Sequence, residues 1–186
     1  MPPSLAPKKT ILDAEQLRRL YRRIAGEILE RDAGTSDLLL VGIRTRGVPF
    51  AERLAAEIEA MEGATVPVGV LDITLYRDDL STIAPQPVVK ASRFPVPLDD
   101  RVVVLCDDVL YTGRTIRAAL DALIDYGRPR AVRLAVVVDR GLRELPIQAD
   151  FVGQVVPTSA DEHVEVRFRD TDDAEDVRIL EQVGEG

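Results

Sequence analysis

Three short apolar runs constrain this chain more than anything else in it: "DLLLVGI" from Asp37, "VVVLC" from Val102 and "AVRLAVVVD" over 131–139. Their near-continuous hydrophobicity is what a strand shows when both its faces are covered. Between and before them lie segments with helical spacing. Asp13, with Gln16 three residues on, opens a capping box, and Leu17, Leu20, Tyr21, Ile24 and Ile28 then form one stripe that ends near Gly34. Pro49 sits where a helix start tolerates proline best; Phe50, Leu54, Ile58 and Met61 follow in register, up to Gly63. A third helix runs from Arg114 to a stop at Gly127. Strands that alternate with helices imply a parallel sheet with right-handed crossovers and helices on both faces.

The remaining segments carry weaker signals. "VPVGVLDITLY" (66–76) reads as one β-branched strand, and short strands are expected from Phe151, Val164 and Val177. Residues 1–10 read as a loose arm on a single domain spanning 1–186. From Arg77 to Arg101 there is no helix or long strand, and prolines stand at 85, 87, 95 and 97. So long a stretch is usually functional or disordered. Apolar residues make up 46% and charged ones 30% of 186, which fits a soluble globular protein. The single Cys106 excludes an intrachain disulfide and fits a reducing cytoplasm. "MPPSLAPKKT" lacks a signal-peptide run, and no apolar stretch is long enough to span a membrane. A net charge of −8 argues against general nucleic-acid affinity.

The chemistry gathers after the strand ends, where open α/β sheets bind ligands. "DDVLYTGRT" (107–115) places two carboxylates just before a glycine- and hydroxyl-bearing turn into a helix. The turn lacks the lysine of a P-loop, but a helix N-terminus can still hold one phosphate monoester. Carboxylates repel phosphate and accept hydrogen bonds from sugar hydroxyls. A ribose 5-phosphate satisfies both halves, with its diol on Asp107 and Asp108 and its phosphate in the Tyr111–Thr115 turn. "RTRG" (44–47) and "DRG" (139–141) follow two other strands. His163 has nothing triad-like near it and reads as structural or exposed, and Cys106 reads as packing.

The 102–115 stretch closely resembles the phosphoribosyl pyrophosphate signature of type I phosphoribosyltransferases. "LVGIRTRG", "LDITLYRDDL", "DALIDYGRPR" and "DRGLRELPIQADFVGQVVPTS" extend the resemblance to the PyrR family over roughly residues 11–180. The resemblance implies the type I phosphoribosyltransferase fold, an α/β architecture with a mostly parallel central sheet flanked by helices, a flexible active-site loop and a small hood. It implies the reaction of uracil with phosphoribosyl pyrophosphate to give UMP and pyrophosphate. Mg²⁺ is then held mainly through phosphoribosyl pyrophosphate, with no dedicated protein ligand set. Arg44, Thr45, Arg46 and Gly47 match the diphosphate loop. Asp107, Asp108, Val109, Leu110, Tyr111, Thr112, Gly113, Arg114 and Thr115 hold the ribose phosphate. Arg77 starts the long loop and is placed to close over the leaving group, joining Asp107 and Asp108 as a catalytic residue. Asp139, Val156 and Pro157 are expected near the base.

PyrR proteins also bind a stem-loop in pyrimidine-operon mRNA, under UMP control, through a basic face of a homo-oligomer. Arg22, Arg23, Arg31 and Arg143 are the residues here that the resemblance makes candidates for phosphate contacts. The chain departs from the family at Gly26, Leu142, Gln148 and Gln154, where cationic or potentially cationic residues are usual. The enzyme reading therefore ranks above the alternative, a nucleotide-sensing RNA-binding attenuation regulator with little activity. A transferase for a purine base is a third reading, disfavoured by the family match.

Overall fold

In the computed structural model, which describes residues 4–32, 34–79 and 88–183, the three apolar runs become β2 (Leu38–Ile43), β4 (Val102–Leu110) and β5 (Ala131–Asp139). With β3 (Val68–Leu71) and β6 (Phe151–Val155) they form a five-stranded sheet in the order β3-β2-β4-β5-β6. Every pairing in it is parallel. Because side chains alternate across a strand, successive residues enter different cores. Leu38, Leu40, Val104 and Cys106 face α1 (Ala14–Asp32) and α2 (Gly47–Glu62). Leu39, Val41, Val103 and Leu105 face α3 (Arg114–Ile124). Each fully buried large side chain of this kind contributes about 1.5–3 kcal/mol.

The capping box at α1 forms as expected. The Asp13 N–H donates to Gln16 Oε1 at 2.9 Å, and the Gln16 N–H donates to Asp13 Oδ1 at 2.8 Å. The expected stripe is buried. Gly63 ends α2 in the left-handed region at φ 65°. The helix begins at Gly47, so Pro49 is its third residue, still within the turn whose N–H groups lack intrahelical acceptors. Met61 keeps the register but lies at the surface.

Two expectations change. Residues 4–10 are no loose arm: Ser4–Leu12 is β1, paired antiparallel with β8 (Asp176–Val183), which also pairs with β7 (Glu162–Arg167). The register shifts near Pro7, where an N–H donor is missing. Lys8 then joins the strand to Glu162 and Glu181 at 3.0 and 3.1 Å. The expected strand over 66–76 stops at Leu71. Asp72 folds the chain back: its Oδ1 accepts the Thr74 N–H at 2.8 Å and the Thr74 hydroxyl, and a 3-10 turn follows over Thr74–Tyr76. Of the loop expected from Arg77 to Arg101, residues 80–87 lie outside the described ones, as do residues 1–3 of the arm. The small antiparallel sheet packs on the α1/α2 side through Val166, Phe168, Val177 and Ile179, and it stands as the hood.

Candidate active site

β2 and β4 are neighbours, yet β2 is followed in sequence by β3 on its other side. The order therefore switches between β2 and β4, and the chains leaving these two strands part around a crevice. Each leads at once into a helix, β2 into α2 and β4 into α3. Neither helix has a side-chain cap: Arg46 at α2 and Gly113 at α3 make no such bond, and neither first turn carries an acid. Two positive helix ends thus lie side by side at the carboxyl edge of the sheet, each with N–H groups to offer an anion.

Between them sit the carboxylates. Asp107 is buried and Asp108 partly so, at the end of β4. Their main-chain links are tight: Asp108 N–H donates to Asp107 Oδ1 at 3.0 Å, and Val109 N–H to Asp108 Oδ1 at 2.8 Å. Burial, then the Asp108 charge, push the Asp107 carboxyl well above the usual range. Asp108 is also raised by burial, against its bonds to Asp107 and the Val109 N–H and the charge of Arg46. The two form a pair that resists ionising twice.

The Tyr111–Thr115 turn lines a cavity of about 240 Å³ with Arg77, Asp78 and Asp79. Gly113 adopts φ 94°, which opens the turn. Its main chain is held from behind, because the Glu144 and Leu145 N–H groups donate to Thr112 O at 2.9 and 3.1 Å. Arg114 pairs with Asp78 and Glu144 at 2.8 and 2.7 Å. Arg77 grips Asp79 through two hydrogen bonds, Nε to Oδ1 at 2.9 Å and a terminal nitrogen to Oδ2 at 2.8 Å. Its charge also reaches Asp107.

The two arginines of the 44–47 loop differ from what the sequence suggests. Arg44 donates to Ala91 O at 3.0 Å, and its buried Nε is an unspent donor. Arg46 is not spare. It grips Asp172 with both terminal nitrogens, one at 2.8 Å to Oδ1, and donates to Val166 O at 2.9 Å. Thr45 is exposed.

At the end of β5, Asp139 is held by Arg143 at 2.6 Å and accepts the Gly141 N–H at 2.9 Å. Val156 is buried and gives its N–H to Asp139 O at 2.9 Å, while Pro157 is exposed. Arg143 also donates to Tyr111 O and Ile147 O, both at 2.8 Å, so its guanidinium ties the Tyr111–Thr115 turn to β5. The sequence did not single out Arg140, which is 5% exposed. It lies 4.0 Å over the Tyr111 ring and donates to Thr158 Oγ1, Ser159 O and Glu162 O. Its only sequence signal was its place directly after Asp139, the acid at the end of a strand. On α1, Arg23 donates to Val152 O at 3.2 Å and to Glu27, and Arg31 pairs with Asp150 at 2.9 Å. Arg22 is exposed.

The family of the phosphoribosyl transferase domain matches residues 7–167. The bifunctional protein PyrR of Pelotomaculum thermopropionicum is 60% identical over 174 residues, 94% of this chain and 96% of its own. That of Thermus thermophilus is 56% identical over 177 residues, 95% and 98% of the two chains. Among solved structures, a hypoxanthine phosphoribosyltransferase of Trypanosoma cruzi superposes with a TM-score of 0.73 at 19% identity, covering 94% of this chain and 95% of its own. A hypoxanthine-guanine phosphoribosyltransferase of Bacillus anthracis gives 0.70 at 18%, covering 96% and 99%. At such identity these two structures establish the fold.

Proposed function

The chain belongs to the phosphoribosyl transferase domain family and, within it, to the bifunctional PyrR proteins, and from that premise we propose that it transfers the phosphoribosyl group of phosphoribosyl pyrophosphate to uracil, giving UMP and pyrophosphate. The observation that carries the reading is the pair of uncapped helix ends flanking Asp107 and Asp108. The 5-phosphate sits at the start of α3, in the Tyr111–Thr115 turn. The ribose diol lies on Asp107 and Asp108, and the diphosphate faces the loop Arg44, Thr45, Arg46 and Gly47 at the start of α2. Asp139 and the main chain at Val156 and Pro157 border the base.

The C1′–diphosphate bond breaks early, and positive charge develops on the sugar. The chain must then hold the ribose, stabilise the departing diphosphate and keep water away. Two carboxylates fix the sugar and lie on the side of the developing charge. Arg44 and the uncapped N–H groups at the start of α2 are the donors this reading assigns to the leaving group. Arg77 must leave Asp79 to add its charge there. Among the described residues no group of three or more acidic, histidine or cysteine side chains is arranged to hold a metal. Two carboxylates beside a diphosphate site would suit Mg²⁺ that arrives with the substrate; Asp107 and Asp108 would help to hold it there, and it would supply charge neutralisation for the diphosphate.

A second, regulatory activity fits the relatives' shared name, bifunctional. UMP-dependent binding of an mRNA stem-loop ranks below the transfer reaction, because Gly26, Leu142, Gln148 and Gln154 deplete the basic face it needs. A cytoplasmic homo-oligomer is the expected setting. Exposed Leu120, Ile124 and Tyr126 beside one another on α3 and its following turn support association, and among the described residues no helix is long and apolar enough to cross a membrane. Incubation with Mg²⁺, phosphoribosyl pyrophosphate and each common nucleobase tests the enzyme. UMP from uracil alone is expected. Nucleotide from hypoxanthine or guanine only, or none from any base, overturns it.

A further inference from the structure

We propose that Asp172 is a positioning residue for the diphosphate loop: it holds the Arg46 guanidinium away from the Asp107–Asp108 pair, so that Arg46 orients the loop instead of binding diphosphate. The inference rests on the phosphoribosyl transfer reading above. Asp172 lies 126 residues from Arg46, in the four-residue α4 (Arg169–Asp172) of the hood.

Both ends of the link are anchored. Asp172 Oδ2 also accepts the Phe168 N–H at 2.9 Å, and the Phe168 ring is fully buried in the core beneath. The Asp172 N–H in turn donates to Phe168 O at 2.7 Å. Arg46 adds a bond to Val166 O of β7. Next to it in sequence, Gly47 is packed on the middle of β4, just before Asp107, where a Cβ would lie 2.1 Å from Cys106 O. Arg46 therefore spans from the hood to the point where α2 meets the carboxylate-bearing strand. Its guanidinium already interacts electrostatically with Asp108. With Asp172 neutral, Asp108 is the site carboxylate left to draw this partly buried guanidinium. A pair formed there occupies the acceptors a ribose diol needs. Bidentate arginine–carboxylate bonds are directional enough to decide between two such positions.

The test is Asp172→Asn, which keeps an acceptor for the Phe168 N–H and loses the charge, together with Asp172→Glu and Arg46→Ala/Asp172→Asn. KM for phosphoribosyl pyrophosphate should rise about tenfold in Asp172→Asn, the scale of one charge-assisted bond, with KM for uracil within about twofold. Asp172→Glu should recover most of the loss. The double variant should bind no worse than Asp172→Asn. Titration calorimetry with Mg²⁺-pyrophosphate measures the same change without a base. If the wild type makes no UMP, the transfer reading fails, and this calorimetric ratio still decides the role of Asp172. Unchanged or tighter pyrophosphate binding in Asp172→Asn overturns the proposal, because it makes Asp172 a competitor for a ligand arginine or a bystander. If Asp172→Asn does not fold, Asp172→Glu decides: wild-type KM supports the positioning role, and a tighter KM refutes it.

Discussion

Gly47 and Cys106 meet backbone to backbone: a Cβ built on Gly47 would lie 2.1 Å from the Cys106 carbonyl oxygen and 3.3 Å from Asp107 Cα. This contact brings the first turn of α2 up to the carboxylates. Alanine favours helix over glycine by about 1 kcal/mol, but here the obstacle is main chain and cannot swing aside. Gly47→Ala should therefore destabilise the fold by about 1–3 kcal/mol and weaken pyrophosphate binding, read by urea unfolding and calorimetry. A stabilised, fully active variant would show that α2 can withdraw freely.

Asp107 is expected to cost stability in order to serve the site. Burial, then the Asp108 charge, raise its carboxyl above the unfolded value. The folded state then binds more protons than the unfolded one in the window between the two values, so stability falls as pH rises through it. Asp107→Asn should raise the melting temperature at pH 7–8 by about 2–4 °C, the shift expected for roughly 1 kcal/mol, and the gain should shrink towards pH 4. UMP synthesis should fall by about a hundredfold or more. A lower melting temperature at pH 8 contradicts the assigned sign. Asp107→Asn/Asp108→Asn should stay folded and lose most turnover.

Arg77 is bound to Asp79 and lies within electrostatic reach of Asp107. A group that must change partners to reach the leaving diphosphate acts mainly in the transition state. Arg77→Ala should lower kcat by about 10–100-fold and raise KM for phosphoribosyl pyrophosphate by less. A pure KM effect would assign it to ground-state binding.

Arg140 and Tyr111 join the hood to the Tyr111–Thr115 turn through a stack at 4.0 Å. Arg140→Ala leaves Ser159 O and Glu162 O without a donor, at a cost of about 2–4 kcal/mol. Arg140→Lys keeps the charge but loses the planar stack, and should be intermediate in urea unfolding. KM for uracil should rise in both variants, since residues 158–162 continue directly from Val156 and Pro157, the residues proposed to border the base. Unfolding curves that match the wild type would remove Arg140 from this role.

Affinity for a family-type pyrimidine-operon stem-loop should be weak or absent at physiological salt. Arg23, Arg31 and Arg143 are engaged within the protein, and Gly26, Leu142, Gln148 and Gln154 supply no cation. Each lost phosphate contact flattens the salt dependence by about one unit of slope. Gly26→His, Leu142→His, Gln148→Arg and Gln154→Lys together should restore UMP-enhanced binding. A side chain at Gly26 meets open space, and the other three side chains are exposed. Tight, UMP-enhanced binding by the unmodified protein, measured by titration at two salt concentrations, would show that the α1 arginines suffice.

What could be read from the sequence was local or periodic. Runs of apolar residues marked β2, β4 and β5, helical spacing marked α1 and α2, and the Asp13–Gln16 pair marked a helix start. The carboxylates and the turn after them were legible because one strand–turn–helix unit carries them all within residues 102–115. Periodicity overreached at 66–76, where the apolar pattern runs on and a side-chain bond from Asp72 ends the strand. It said nothing of β1, whose partner β8 lies at the other end of the chain. The partners of Arg46, Arg140 and Arg143 were likewise invisible, because an arginine on a loop reads the same whether it faces water, a ligand or a carboxylate 126 residues away. Local pattern marked most of the strands and helices, and the turn that is proposed to hold a phosphate. Only the closed fold, by bringing the hood against the start of α2, decided which of these charges are spent on the protein and which remain for a substrate.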